Sequence, residues 1–242
     1  MAIGKRQIGK TGLEVTELSL GTATVAGIFF ALKVRLGPDI WYVGLAGFAP
    51  ALIGVGCTAY VQGTAGGLAG AYASLKAALA AAPQASAELR VWQLTRLAEM
   101  AIRLGQAEAA NRHFQQALGL GVTDQFLLGA YADWLLEQQR PQEVLRLLQG
   151  WERSDILLLR LALAAKASGD GRAAAWTRTL RERFDAAAQR GDRLHEQEAA
   201  RFELDLAGNK ARALALARDN YSVQKEPRDA QMLLRAALAA RD

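Results

Sequence analysis

One short signal recurs along this chain and limits what it can fold into. Two-residue breaks stand at Gly66-Gly67, Gly105-Gln106, Arg140-Pro141, Gly169-Asp170 and Gly208-Asn209, at spacings of 39, 35, 29 and 39 residues. Glycine supplies the left-handed residue on which helices commonly end. Pro141 fits as the first residue of a helix, where a missing amide donor costs nothing. Around the second break the apolar residues fall at helical spacing, with Leu94, Leu97, Ala98, Ala101 and Leu104 before it and Ala110, Phe114, Ala117 and Leu118 after it. The pattern is therefore helix, tight turn, returning helix. Four residues after the second member of each break stand Ala71, Ala110, Leu145, Ala174 and Ala213, where the helices of a hairpin cross and a slim side chain lets them approach. With 49 Ala and 37 Leu among 242 residues, five Pro and 7% aromatics, the chain is helix-building material and excludes collagen-like, low-complexity and disulfide-scaffold classes.

Composition shifts along the chain. Residues 1–70 hold 14 of the 23 Gly and only eight charged residues, and no charge occurs from Ile40 to Leu75. We divide the chain into an N-terminal segment, 1–47, and a helical repeat region, 48–242. Residues 40–61 are long and apolar enough to be a candidate membrane span, which would make the protein an anchored scaffold. The Gly-rich, small-residue content favours a buried hairpin instead. Lys5, Arg6 and Lys10 are followed by Glu14 and Glu17 before any apolar stretch, unlike a secretory signal, which points to the cytoplasm. The net charge of +5 comes mainly from scattered Arg and does not imply nucleic acid. Cys57 stands alone, so no intrachain disulfide can form.

The unit from Arg90 to Val122, with Leu94, Leu97, Ala98 and Ala101, then Gly105, then Ala110, Phe114 and Ala117, resembles the tetratricopeptide repeat, a helix hairpin of about 34 residues. Ala71, Leu75, Ala78 and Pro83 extend the likeness to the preceding unit. It covers roughly residues 50–242, as in helical-repeat proteins of bacteria. Later units depart from the pattern, with Leu145 at a small position and Ala217 where an aromatic is usual. The resemblance implies an all-α, TPR-like superhelix of about five hairpins whose first helices line a concave groove, after a short N-terminal β-hairpin-like segment.

Residues 6–27, RQIGKTGLEVTELSLGTATVAG, resemble the opening of the aldo/keto reductases. Gly9, Lys10, Thr11 and Gly12 read as a turn between two short strands. The likeness implies, as an alternative, a fragment of an NADPH-dependent reductase. That family's barrel needs about 250 residues, its catalytic residues find no match here, and Asp39 and Tyr42 are three apart rather than five.

Other motifs have plainer readings. Gly4 to Thr11, GKRQIGKT, satisfies the P-loop expression, but only three residues precede it where a buried strand is required. Gly54, Gly56 and Ala59 form a GxGxxA run without an acidic residue about 20 positions on. His195-Glu196 begins as HExxH but ends on Ala199, so we expect no metal and read His195 and His113 as solvated surface residues. Cys57 reads as a small packing residue. The Arg-rich stretch from Arg172 to Arg193 is interrupted by Glu182, Asp185 and Asp192, as on a solvated helix face. Trp92, Trp134, Trp151, Trp176 and Phe114 are expected in the core between hairpins.

The expectation is a non-catalytic scaffold, without cofactor, that binds a peptide or protein through the groove. Candidate contact residues on the first helices are Gln93, Arg96, Glu99 and Arg103 in one unit and Arg160 and Lys166 in a later one.

Overall fold

In a computed structural model, described over residues 5–7, 14–16, 48–192 and 196–241, the protein is all-α, with eleven helices and, near the start, a pair of three-residue strands. These strands, Lys5–Gln7 and Glu14–Thr16, pair antiparallel with Arg6 opposite Val15. Most of the P-loop-like and reductase-like runs, together with Asp39, Tyr42 and His195, lies outside the described residues.

Contacts divide the chain into two compact units, Met1–Thr123 and Asp124–Asp242, a boundary inside the region that composition treats as one. The first unit contains α1 (Phe48–Thr64), α2 (Leu68–Ala81), α3 (Ala87–Arg103) and α4 (Ala107–Leu118). Here α1 pairs with α2 and α3 with α4, while α2 and α1 also pack on α3. Ser86 caps α3 by accepting the Leu89 amide at 3.3 Å. The core runs through Ala59, Ala71, Leu75, Leu94, Leu97, Ala98, Ala101, Ala110 and Phe114, all buried. No described helix is long and apolar enough to cross a membrane. Of the 40–61 run, residues 48–61 belong to α1, the first helix of a hairpin.

The second unit contains α5 (Gln125–Glu137), α6 (Pro141–Leu147), α7 (Asp155–Ser168), α8 (Ala173–Gln189), α9 (Glu196–Phe202), a π-helical turn (Glu203–Ala207), α10 (Lys210–Val223) and α11 (Pro227–Ala239). Three hairpins, α5/α6, α7/α8 and α9/α10, are followed by the single helix α11. Side-chain caps at Asp124, Ser154 and Asn209 fix three of the helix starts. One apolar cluster joins Leu158, Leu159, Ala162, Leu180, Phe184 and Phe202, with the two Phe rings 5.4 Å apart, and another joins Ala200, Ala213, Ala217, Met232 and Ala236.

All five expected breaks fall between paired helices. Gly66, Gly105, Gly169 and Gly208 have positive φ there, and in the third hairpin Gln139 takes that conformation at φ 58°. The expected small positions differ in two hairpins. The fourth residues of the returning helices are Ala71, Ala110 and Ala213 as expected, but Val144 and Trp176 in the third and fourth hairpins; Leu145 is buried beside Val144 all the same, whereas Ala174 is exposed. Pro141 is already the first helical residue, which moves the position back by one. Two extra turn residues, Asp170 and Gly171, move it forward by two and leave Ala174 exposed while Trp176 packs on the core. A shift of two residues turns a helix face by about 200°.

The small residues of α1 meet two neighbours. Gly63 meets Ala71, with a position for a methyl 3.7 Å from the Ala71 Cβ, whereas Gly56 lies against Trp92 and Gln93 of α3. Trp134 and Phe114 are buried, while Trp92, Trp151, Trp176 and Cys57 are only partly so.

Candidate interaction face

In the second unit, α5 packs on α7, α7 on α9 and α9 on α11. The first helices of successive hairpins, with α11 after them, therefore form one row. Charged side chains tie the row together, and Asp133 of α5 is its centre. Its two carboxylate oxygens receive Arg160 Nε at 3.0 Å and Nη2 at 2.8 Å, a bidentate pair, and Arg201 Nη1 of α9 at 2.5 Å. Burial opposes a charge on Asp133, but the guanidinium groups of Arg160 and Arg201 outweigh it and hold the carboxyl well below its ordinary range. Burial likewise opposes the charge of Arg160, and Asp133 and Glu198 overcome that, so its pKa is raised. Arg160 Nη1 also donates to the Ile156 carbonyl at 2.9 Å and lies 3.6 Å from Glu198 Oε1.

The row continues to α11 through the π-helical turn. Asp205 accepts Arg235 Nη2 at 2.7 Å on its side chain and Lys166 Nζ at 2.7 Å on its backbone carbonyl. Arg201 Nε lies 3.6 Å from Asp205 Oδ2. Glu137, on α5 one turn beyond Asp133, has its pKa raised by burial and by the Asp133 charge. A planar guanidinium suits these bidentate and bridging positions better than an ammonium.

The residues expected to line a groove separate into distinct roles. Gln93 and Arg160 are buried, at 0% and 3% exposure, so neither is a contact residue. Gln93 fills the space left by Gly56, and Arg160 is turned inward by Asp133. Arg96 is largely covered too. It pairs with Glu99 at 3.0 Å and lies over the Tyr60 ring at 4.5 Å, so both charges of that pair serve the packing of α3 on α1. Arg103 is exposed and donates to the Gly63 carbonyl at 2.8 Å, closing the C-terminal end of α1. Lys166 is exposed and belongs to the charged row. Lys166 and Arg160 are thus brought together with Asp133, Arg201, Asp205 and Arg235, none of which sequence reasoning singled out. A signal existed for Asp133, and the same signal marks its partner Arg160. Asp133 is the one charge in the apolar run Phe126 to Leu136, and Arg160 the one charge in the run Ile156 to Ala165.

His113 departs from its surface reading. It is 8% exposed, and its Nε2 shares a hydrogen bond of 2.8 Å with the Tyr72 hydroxyl. Burial is the main reason its pKa is lowered. A helical face brings His113 inward beside Ala110, Phe114 and Ala117 of α4. No group of three or more His, Cys, Asp or Glu among the described residues is placed to hold a metal ion.

No protein-family model matches the chain, and comparison with curated proteins and with solved structures finds no match.

Proposed function

We propose that the protein is a non-catalytic scaffold of the TPR-like helical-repeat kind, and that it binds an extended polypeptide segment along the row α5, α7, α9 and α11. The observation that carries this reading is the row itself, in which successive hairpins are linked by charge pairs on their first helices. The pair Asp133–Arg160, with Arg160 buried, ties α5 to α7, and Glu137, Lys166 and Arg235 offer charges of both signs at the surface of the same row. An extended backbone laid across several helices meets a fixed sequence of donors and acceptors, and rigid presentation limits the entropy lost on binding. Stacked hairpins provide such a surface while each contacts only its neighbours.

The test is selection of displayed peptides on the full-length protein, followed by titration of the best binder against a triple variant, Glu137→Lys, Lys166→Glu and Arg235→Glu. A saturable binder that loses about tenfold in affinity, or about 1.4 kcal/mol, supports the reading. Failure to select any saturable binder, or a binder indifferent to the triple variant, would overturn it.

A further inference from the structure

Helix α11 carries apolar residues on two opposite faces. One face, with Met232 and Ala236, is buried in a cluster with Ala200 of α9 and Ala213 and Ala217 of α10. The other presents Leu234 and Leu238 to solvent, one turn apart and 64% and 63% exposed. Ala230, Gln231 and Ala237 complete this outer face, which bears no charge along the length of the helix. The arginines of α11 stand to one side of it, Arg228 over the Phe126 ring at 5.4 Å and Arg235 on Asp205 at 2.7 Å. A single exposed leucine is ordinary, whereas two in line on an uncharged helical face make a patch that gains from being covered.

The order of residues on the face selects what covers it. Pro227, Ala230, Leu234 and Ala237 follow one another at intervals of three, four and three, which is the seam of a helix that packs lengthwise on a second helix. Reversed, this seam is complementary to itself. With a two-fold axis at Leu234, Leu238 falls opposite the partner's Ala230, and Gln231 opposite the partner's Ala237. On either side of the axis, then, a larger side chain meets a small one. The ends match in charge as well. Arg241, two residues past the end of α11, falls beside the partner's Glu226, just before its start, and both are exposed. Opposed helix dipoles favour the same arrangement. A parallel pair would instead set Arg241 against Arg241, leave two alanines facing each other at Ala230 and align the dipoles.

We infer that the outer face of α11 binds a second copy of this chain, as an antiparallel two-fold dimer centred on Leu234. The contact uses none of the charges of the row. One face of a thirteen-residue helix, about 20 Å long, is small for a protein interface, so the dimer is weak, with a Kd of about 10–100 μM.

Sedimentation velocity of the full-length protein, from about 5 to about 500 μM, tests the inference. The sedimentation coefficient should rise with concentration to that of a dimer. The double variant Leu234→Glu, Leu238→Glu should associate at least about tenfold more weakly with an unchanged melting midpoint, because both side chains are exposed in the single copy. Disulfide formation reads the register. With Cys57→Ser removing the native thiol, Leu234→Cys lies on the axis and should oxidise to a covalent dimer about ten times faster than Glu108→Cys, at an exposed position on another helix. A chain that stays monomeric at the highest concentration overturns the inference, as does a folded double variant that dimerises equally well. Flotation of the monomer with phosphatidylcholine vesicles would give the face to a lipid surface and overturn it too. Equal oxidation rates at the two cysteines refute it, and they decide alone if the double variant does not fold.

Discussion

Replacing Asp133 by Leu tests whether the charged row determines stability in the second unit. The substitution removes the acceptor of two Arg160 hydrogen bonds and one from Arg201. Arg160 is then left with its side chain 4% exposed and only the Ile156 carbonyl and Glu198, at 3.6 Å, to answer its charge. Breaking a buried pair from one side costs about 3–5 kcal/mol, because the surviving charge is neither hydrated nor neutralised. At roughly 4 °C per kcal/mol for a unit of this size, the midpoint should fall by about 12–20 °C. The double replacement Asp133→Leu, Arg160→Met removes both charges and should recover most of the loss. A surface pair provides the comparison. Arg112 and Glu108, 3.8 Å apart with side chains 66% and 94% exposed, should cost under about 0.5 kcal/mol when Glu108 becomes Ala. Thermal unfolding followed by tryptophan emission measures all four proteins. The carboxyl of Asp133 lies below its unfolded value, so its contribution is complete above the ordinary carboxylate pKa of about 4 and is lost as pH falls beneath it. The gap between wild type and Asp133→Leu should therefore narrow in acid. A midpoint for Asp133→Leu no lower than that of Glu108→Ala, or a double variant no better than the single, would refute the argument.

Three other substitutions probe the packing. Gly56→Ala would bring a methyl within 2.6 Å of the Trp92 ring and 2.4 Å of Gln93 Nε2, and should destabilise by about 1–3 kcal/mol, read as a lower urea midpoint. Gln139→Gly should stabilise by about 0.5–1 kcal/mol, since Gln139 holds at φ 58° the left-handed turn that glycine holds at the other four breaks; a lower melting midpoint would contradict this. His113 is held neutral by burial, so the unfolded chain takes up a proton that the folded chain refuses, and stability should fall as pH drops below about 6.5. His113→Gln should flatten that part of the stability profile, as measured by denaturation at several pH values.

The recurrence of breaks determined the hairpins by itself, because a left-handed glycine or a first-turn proline acts through backbone geometry that neighbours do not change. Ala110 and Phe114 were legible for a related reason, since a 3.6-residue period names one face whatever that face meets. The face that meets each neighbour was decided only in three dimensions. Two extra residues after Gly169 turned Trp176 rather than Ala174 toward the core, and the sequence alone does not say whether they lengthen the turn or the helix. Partners distant in sequence were hidden for a different reason. Arg160 resembles any charge on a helix until Asp133, 27 residues earlier, is set opposite it, and Lys166 meets a carbonyl 39 residues later. A long polar side chain is read as exposed by default, because burial is costly without a partner. Tertiary structure supplies that partner and turns Arg160 inward, while the same rule applied to Arg103 leaves it exposed.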